Sequence, residues 1–349
     1  APPVHGMRLM AEIAPALAAW RPDMAIRRLS GTFVEPLLVG EAATLSGRVL
    51  RAEGEILVRV AIQGPRRGPS VLAEAVLVPR GERRMSFAPR SILITGASSG
   101  IGRALAREYA APGVRLTLVG RDAVRLEAVA ADCRARGAEV EIGQVDVRDR
   151  QGMHDFLRAT DARNPLDLVV ANAGINTGLP AGALAEDPEA VRGIFAINLL
   201  GVFNTVEPAI EPMAARGKGV IAMTGSIAAV RGLPYSPSYC ATKAAVHLYA
   251  ESLRGTLARK GVAVSLIVPG FVHTALNEKL VAPKPLAMTD ARAARIIRRG
   301  LDRRKAHIVF PRLLYWGARL TTILPTRLVD FFMVRTKVDV PVTRERMTP

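Results

Sequence analysis

The stretch from Ser91 to Arg103 constrains the fold of this chain more than any other part of the sequence. It opens with the apolar run Ile92–Ile94, which is typical of a strand buried on both faces of a parallel sheet. A glycine-rich turn over residues 95–102 follows, and Ile101–Ala111 continues with helical periodicity. This order of strand, glycine turn and helix predicts the first half of a dinucleotide-binding βαβ unit.

The glycines would let the backbone bend sharply and approach a pyrophosphate, whose charge the amides and dipole at the helix N-terminus would stabilise. The predicted cofactor contacts of this turn are Gly96, Ser98, Ser99, Gly100, Ile101 and Gly102. A lone glycine triplet also occurs as simple loop punctuation, so this motif by itself leaves both interpretations open.

A chain of 349 residues predicts one large or two unequal domains, and its 49% hydrophobic content suits a sizeable core. The net charge of +17 is compatible with nucleic acid, an anionic membrane surface or acidic ligands, and equally with an arginine-rich proteome. Because the arginines are scattered and aromatic residues make up only 5%, we expect no nucleic-acid partner.

Cys133 and Cys240 are the two cysteines, so neither a disulfide framework nor a metal site is expected. This cysteine usage predicts a reducing, cytoplasmic environment. The N-terminus lacks the pattern of a signal peptide, and we identify no run of 18 predominantly apolar, uncharged residues. A membrane-spanning helix is therefore not expected.

Residues 1–88 predict a small α+β segment. A helix is expected over Met7–Trp20, kinked or ended by Pro15. Three strands are expected after it, at Ala43–Arg51, Glu55–Gln63 and Val71–Val78. The charged, breaker-rich stretch over residues 79–89 would form the boundary to the next domain.

One helix followed by antiparallel strands resembles the later part of a MaoC-like hot-dog domain. The residues that carry the resemblance are the helix opening at residues 4–7, Phe33–Pro36 and Val39–Glu41. The resemblance implies that an active hydratase has an Asp and a His upstream of this helix, before this sequence begins, so we expect His5 to be a helix-start residue. We interpret residues 1–88 as a partial hot-dog-like segment with an open sheet edge, used for interaction or dimerisation.

From Arg90 onward, predicted strands and helices alternate. Seven strands are expected, at Ser91–Thr95, Arg115–Val119, Val140–Val145, Leu166–Ala171, Gly219–Met223, Val262–Val268 and His307–Phe310. This alternation predicts an α/β fold with a Rossmann-type, doubly wound parallel sheet covered on both faces by helices. We place this domain at residues 89–311 and a basic, amphipathic C-terminal extension at residues 312–349.

The residues after the second strand predict the cofactor. An acidic side chain at this position suits the 2′-hydroxyl of NAD, whereas a cation suits the 2′-phosphate of NADP. Arg121 directly follows Gly120, and Arg103 lies just behind the glycine turn, so we predict NADP(H) with Arg121 as the main phosphate contact. Asp122 would instead favour NAD, unless its carboxylate caps the helix expected at Ala123–Arg136.

Two further strand ends carry candidate cofactor contacts. After the third strand, Asp146 would accept a hydrogen bond from the adenine amino group, and Val147 follows it. After the fourth strand, the small residues at Asn172, Ala173 and Gly174 would let the backbone approach the ribose. Taken alone, either group could be a simple turn at the end of a strand.

Tyr239 and Lys243 are four residues apart on a long predicted helix and therefore share one face. An ammonium beside the phenol, together with a cationic nicotinamide, would lower the tyrosine pKa and suit Tyr239 to exchange a proton with a carbonyl or alcohol oxygen. The competing interpretation is a Tyr–Lys pair on a solvated helix face.

Three other features favour the catalytic interpretation. Ser226 ends the fifth strand, thirteen residues before Tyr239, and its hydroxyl would hold the substrate oxygen. Asn198 lies on the preceding helix and would anchor a water that reaches Lys243. Contacts to the nicotinamide carboxamide or the pyrophosphate are expected after the sixth strand, at Pro269, Gly270, Val272 and Thr274.

In order and spacing, these motifs resemble those of the short-chain dehydrogenase/reductase family over residues 90–310. The resemblance implies that Tyr239 is the acid/base and that Lys243 binds the ribose and tunes the tyrosine. It also implies that Ser226 orients the carbonyl, that Asn198 anchors a proton relay, and that the protein is a homo-oligomer acting on a small-molecule carbonyl or alcohol. Thr224–Gly225 departs from the family, which often has a further serine there.

The C-terminal part bears on the substrate and on partners. The family places a mobile substrate-covering segment at Leu276–Thr289, whose prolines and apolar residues predict an apolar ligand. A basic helix is expected at Asp290–Arg304. Over Leu313–Val334, apolar residues are interrupted by arginines, and Pro325 would separate two short helices. These helices would lie peripherally on a membrane surface or pack on protein.

Together, these features predict an NADP(H)-dependent oxidoreductase that interconverts a carbonyl and a secondary alcohol by hydride transfer, on a lipophilic or 3-oxoacyl-type substrate. One alternative is a bifunctional hydratase–dehydrogenase, which the lack of the upstream Asp and His disfavours. Another is a cofactor-sensing scaffold at a membrane surface, which the complete catalytic set disfavours. The expected location is cytoplasmic, with peripheral membrane association if the C-terminal helices bind lipid.

Overall fold

The computed structural model describes residues 2–52, 55–65, 68–79, 87–180, 182–274 and 283–334. The chain divides into two compact units, residues 1–86 and 87–349. Most of the boundary predicted over residues 79–89 lies outside the described residues, as does the first part of the predicted substrate-covering segment.

The N-terminal unit is one helix packed on a four-stranded antiparallel sheet. Its elements are α1 (Gly6–Trp20), β1 (Met24–Phe33), β2 (Thr44–Arg51), β3 (Ile56–Gln63) and β4 (Pro69–Pro79), and the strands lie in the order β1-β4-β3-β2. The core joins Ile13 and Leu17 of α1 to the alternate side chains Val58, Val60 and Ile62 of β3. Burial of every second residue is what the period-two pattern of β3 predicts.

Helix α1 extends to Trp20 as predicted, so Pro15 does not end it, whereas β1 was not predicted. Pro15 lies inside α1, which continues to Trp20 because Ile13 and Leu17 anchor it to the sheet on both sides of the proline. Strand β1 is not evident from its sequence, since only Met24 is buried and its polar residues do not alternate. Antiparallel pairing with β4 along its whole length stabilises the extended conformation of β1.

The second unit has the predicted α/β architecture. In chain order its elements are β5 (Ser91–Thr95), α2 (Gly100–Tyr109), β6 (Arg115–Gly120), α3 (Ala123–Ala135), β7 (Glu139–Gln144), α4 (Arg150–Arg163), β8 (Leu168–Ala171), α5 (Pro188–Phe195), α6 (Gly201–Ala215), β9 (Gly219–Thr224), α7 (Pro237–Ala258), β10 (Val262–Pro269), β11 (Val272–His273), β12 (Met288–Thr289), α8 (Asp290–Leu301), β13 (His307–Phe310), α9 (Arg312–Thr321) and α10 (Thr326–Val334). The large sheet is parallel, in the order β7-β6-β5-β8-β9-β10-β13. All seven predicted strands are therefore confirmed.

Helices cover both faces of this sheet. Ile92 and Ile94 of β5 point into a core that includes α2, α3 and α8, whereas Leu93 points into the opposite core with α4, α6 and α7. Burial on both faces explains why β5 is an unbroken apolar run rather than an alternating one. The doubly wound Rossmann-type fold is confirmed.

One long helix bears on the expectation that no helix spans a membrane. Helix α5, a π turn at Ala196–Leu200 and α6 form one helix from Pro188 to Ala215, which is long and apolar enough to cross a membrane. Its apolar residues, such as Val202 and Val206, lie in the core beneath the sheet. Packing against the sheet accounts for this composition.

Candidate active site

A cavity of about 1150 Å³ lies at the carboxyl ends of the parallel strands. Most of the site residues predicted from the sequence line it: Gly96, Ser98, Ser99, Gly100, Ile101, Arg121, Asp146, Val147, Asn172, Ala173, Gly174, Ser226, Tyr239, Lys243, Pro269, Gly270, Val272 and Thr274. The two other predicted residues, Gly102 and Asn198, lie behind the cavity wall. The fold therefore gathers residues from about 180 positions of sequence around one space.

The glycine turn after β5 is built by close backbone contacts. Gly96 has a positive φ of 65°, and a Cβ atom there would lie 2.8 Å from the Cα of Ala173. A Cβ on Gly102 would lie 2.3 Å from the carbonyl oxygen of Gly96. Because the turn is this tight, the N-terminus of α2 faces the cavity, where its amides suit an anionic group such as a pyrophosphate.

Two arginines and two carboxylates line the cavity beyond β6. Asp122 accepts a hydrogen bond from the amide of Arg125 at 3.0 Å, so it caps α3 as one interpretation proposed. Asp146 lies 2.6 Å from Nη2 of Arg148 and 3.8 Å from Nη1 of Arg121. Burial acts to raise the pKa of Asp146, but the hydrogen bonds and charge of Arg148 outweigh it and leave that pKa below its usual value. Asp122 also lies 3.0 Å from Nε of Arg125, so both carboxylates have cationic partners.

Arg103, which lies just behind the glycine turn, pairs with a carboxylate and does not line the cavity. Its Nη2 lies 3.0 Å from Oδ2 of Asp290, at the start of α8. The packing of α2 against α8 brings these residues together across a large separation in sequence, so the pairing could not be predicted locally. Among the cations predicted to meet a 2′-phosphate, Arg121 is the one that lines the cavity.

Asn172 joins the ends of three neighbouring strands. Its Nδ2 donates to the carbonyl of Thr95 at 3.1 Å, and its Oδ1 accepts from the hydroxyl of Thr224 at 3.3 Å. The amides of Asn172 and Ala173 both donate to the hydroxyl of Thr95. The side chain is therefore structural, and the small residues Ala173 and Gly174 line the cavity beside it.

Tyr239, Lys243 and Ser226 meet at the centre of the cavity wall. Lys243 is 4% exposed, and its Nζ lies 5.9 Å from the centroid of the Tyr239 ring and donates to the carbonyl of Thr224 at 2.8 Å. The Ser226 hydroxyl accepts from the amide of Ala228 at 3.1 Å and hydrogen-bonds the phenol of Tyr239. The hydroxyl proton of Ser226 is thereby directed towards the tyrosine and the cavity.

The protonation of this group differs from the sequence-based expectation. Burial lowers the pKa of Lys243 to about 8. Burial also raises the pKa of Tyr239 above its usual value, and the hydrogen bond from Ser226 offsets this only in part. The predicted lowering relied on two cations, and the lysine alone does not outweigh burial. In the chain by itself, Tyr239 is therefore a proton donor at neutral pH.

Asn198 is completely buried in the π turn between α5 and α6. Its Oδ1 accepts from the amide of Ile175 at 2.8 Å, and its Nδ2 donates to the carbonyl of the same residue at 2.9 Å. The side chain fixes the backbone after β8. Its part in a proton relay stays a prediction, and the engaged side-chain amide does not by itself support it.

His247 is a site residue that the sequence interpretation missed. Its Nε2 accepts a hydrogen bond from the amide of Ser226 at 3.3 Å. Burial, with smaller contributions from the charges of Lys243 and His307, lowers the pKa of His247 to about 4, so the imidazole is neutral and able to accept. A Cβ on Gly225 would lie 2.3 Å from this nitrogen, which explains the glycine at this position. Spacing was the available signal, because positions 239, 243 and 247 share one helix face.

The sequence also did not indicate that helix α9 forms part of the cavity wall. Leu314, Ala318 and Thr321 line the cavity at the i, i+4, i+7 spacing of one helix face. Arg231 holds this region in place, since it donates to the carbonyl of Thr321 at 3.4 Å and pairs with Asp330 of α10 at 3.1 Å. Of the two placements left open, packing on protein holds for this face of α9.

Comparisons with known proteins agree with this geometry. The family model for short chain dehydrogenases matches residues 90–285. An uncharacterised oxidoreductase of Myxococcus xanthus is 37% identical over 242 residues, which cover 69% of this chain and 95% of the relative. A very-long-chain 3-oxoacyl-CoA reductase of Podospora anserina is 30% identical, over 60% of this chain and 63% of that protein. A short-chain dehydrogenase from Sphingobium yanoikuyae in complex with NADPH superimposes with a TM-score of 0.58 at 26% identity, over 68% and 96% of the two chains.

Proposed function

This chain belongs to the short-chain dehydrogenase family, and from that premise we propose that it is an NADP(H)-dependent oxidoreductase that interconverts a lipophilic ketone or aldehyde and the corresponding alcohol. The observation that carries the proposal is the convergence of Ser226, Tyr239 and Lys243 on one cavity beside the glycine turn. The NADPH complex of the Sphingobium relative supports the choice of cofactor.

The choice of NADP(H) rests on the charges beyond β6. Arg121 and Arg125 both line the cavity there, and a guanidinium is suited to a phosphate. Asp122 would compete for a ribose hydroxyl, but its carboxylate caps α3 and lies 3.0 Å from Nε of Arg125. A 2′-phosphate would therefore meet cations rather than an unengaged carboxylate.

In the reductive direction, an NADPH held by the glycine turn and Arg121 would supply the hydride. The amide of Ala228 holds the hydroxyl oxygen of Ser226, and the hydroxyl proton, which is donated to Tyr239 in the absence of substrate, would be donated to the carbonyl oxygen once a substrate is bound. Tyr239 transfers its phenolic proton to the same oxygen as negative charge develops there. Lys243, with a pKa of about 8, lies close enough to stabilise the phenolate electrostatically before it regains a proton.

The substrate end of the cavity supports a lipophilic substrate. Apolar residues dominate it: Ile227, Leu233, Phe271, Pro283, Pro285, Leu314 and Ala318. The name of the Podospora relative is consistent with an acyl substrate, so 3-oxoacyl thioesters are the first compounds to test. The bifunctional hydratase alternative gains no support, because His5 stands at the N-cap of α1, as a helix-start residue would.

The test is cofactor titration followed by turnover. We expect wild type to bind NADPH at least about tenfold more tightly than NADH, and Arg121→Ala to remove most of this preference, because a charge-assisted phosphate contact contributes about 1.5–3 kcal/mol. Arg136→Ala, at the other end of α3, is the matched control. Equal binding of NADH by wild type would refute the NADP(H) assignment.

Turnover with a lipophilic ketone or a 3-oxoacyl thioester should then be lost in Tyr239→Phe while NADPH binding persists. A phenylalanine variant with wild-type turnover would exclude the proposed acid. If wild type binds neither cofactor, a scaffold function becomes the better interpretation.

We further propose that the N-terminal unit is a hot-dog-like association element of a homo-oligomer. Its strand β2 is an edge strand with all eight residues exposed. Leu45 and Val49 of β2 pair with Ile62 and Val58, whose side chains form the core, so the apolar face of the sheet continues onto an exposed edge. A second copy would cover such an edge.

A further inference from the structure

The two C-terminal helices expose several large apolar side chains, and on α9 these lie away from the face that lines the cavity. On α9, Leu313, Trp316 and Leu320 are 75%, 60% and 55% exposed and share one helix face. Ile323 is 78% exposed, and Leu328 and Phe331 of α10 are also exposed. Exposed apolar side chains at this density along one short segment are uncommon on a soluble monomer and indicate a docking site.

The charges beside this surface identify its occupant. Three arginines are exposed within it, Arg312, Arg319 and Arg327, and the described residues show no ion pair for any of them. The single acidic residue between positions 312 and 334 is Asp330, which is neutralised by Arg231 at 3.1 Å. Apolar side chains flanked by cations and a tryptophan are what an interfacial helix presents to anionic headgroups.

We propose that the C-terminal helix pair, α9 with α10, docks this enzyme on an anionic lipid surface. The apolar side chains would enter the boundary between headgroups and acyl chains, and the arginine stems would extend along it with their guanidinium groups at the phosphates. Because the opposite face of α9 lines the cavity, the docked surface would lie one helix away from the substrate. The docking itself does not depend on the proposed reaction.

The test is co-sedimentation of the full chain with vesicles of phosphatidylcholine alone or of phosphatidylcholine with phosphatidylglycerol. We expect wild type to sediment with the anionic vesicles and to be released by high salt. Trp316→Glu should weaken vesicle binding at least about tenfold, because it removes buried apolar area and adds repulsion. Leu184→Glu, at a fully exposed apolar residue elsewhere in the unit, is the matched control and should bind as wild type does.

A second pair of variants tests the charge. Arg312→Gln with Arg319→Gln should lower binding to anionic vesicles roughly tenfold or more, at about 1 kcal/mol per arginine. Arg158→Gln with Arg303→Gln should leave it unchanged. NADPH binding, measured on every variant, reports that the fold is intact.

Three results would overturn the proposal. The first is wild type that stays in the supernatant with both vesicle types. The second is equal vesicle binding by wild type and Trp316→Glu. The third is a wild-type dimer that Trp316→Glu converts to a monomer without any vesicle binding, because a second copy of the chain would then be the occupant.

Discussion

Gly225 and His247 share one small space behind the backbone of Ser226. The imidazole occupies the volume that any side chain at position 225 would need, and it accepts the amide that holds Ser226 in place. We therefore expect Gly225→Ala to destabilise wild type by about 1–3 kcal/mol, as overpacking does, and to cost much less in a His247→Ala background. Denaturant unfolding of the four members of this double-mutant cycle measures the coupling. Strictly additive losses would show that the two residues do not compete for space.

The free energy of unfolding of this chain depends on pH because Lys243 is buried. Its pKa is about 8 in the folded chain against 10.5 as an exposed lysine, so the penalty for burying the ammonium is fully present below pH 8 and vanishes as pH rises to 10.5. Without cofactor, Lys243→Met should raise the free energy of unfolding at pH 7 by about 1–3 kcal/mol, less whatever the lost hydrogen bond contributed. Urea unfolding should show this gain shrinking between pH 8 and about pH 10. Lys260→Met, at an exposed lysine, is the matched control and should show no such change. A gain independent of pH would contradict the assigned cause.

Helix α9 illustrates how one amphipathic element serves two surfaces. Its inner face narrows the substrate end of the cavity, where Ala318 leaves room that a larger side chain would fill. Ala318→Phe should raise the KM for bulky ketones about tenfold or more and leave the KM for small ketones and for NADPH nearly unchanged. Exposed Thr322→Phe is the matched control. An equal rise in KM for small and bulky substrates would mean that Ala318 does not limit substrate size.

If copies of the chain associate through the exposed edge strand β2, the oligomeric state depends on the N-terminal unit. Leu45→Lys with Val49→Lys places two charges on the apolar face, and we expect this variant to dissociate into smaller species, observed by light scattering at matched concentration. Ser46→Lys lies on the opposite face of the same strand and should keep the wild-type mass. An unchanged mass in the double variant would place the oligomer contact elsewhere.

The sequence by itself determined the α/β unit and most of its site. Period and turn chemistry are local, so the seven strands, the glycine turn after Thr95 and the break at Pro325 could be located from neighbouring residues alone. The spacing of Ser226, Tyr239 and Lys243 is local as well, and all three line the cavity.

Tertiary structure decided what depends on contacts between distant parts of the chain. The pairing of Arg103 with Asp290, the hydrogen bond from Ser226 to His247 and the entry of α9 into the cavity wall each join separate elements. Protonation belongs to the same class, because burial outweighs the neighbouring lysine at Tyr239 and depends on every element packed around it. Local patterns specify backbone conformation and residue chemistry, whereas desolvation and long-range pairing exist only once the chain has folded.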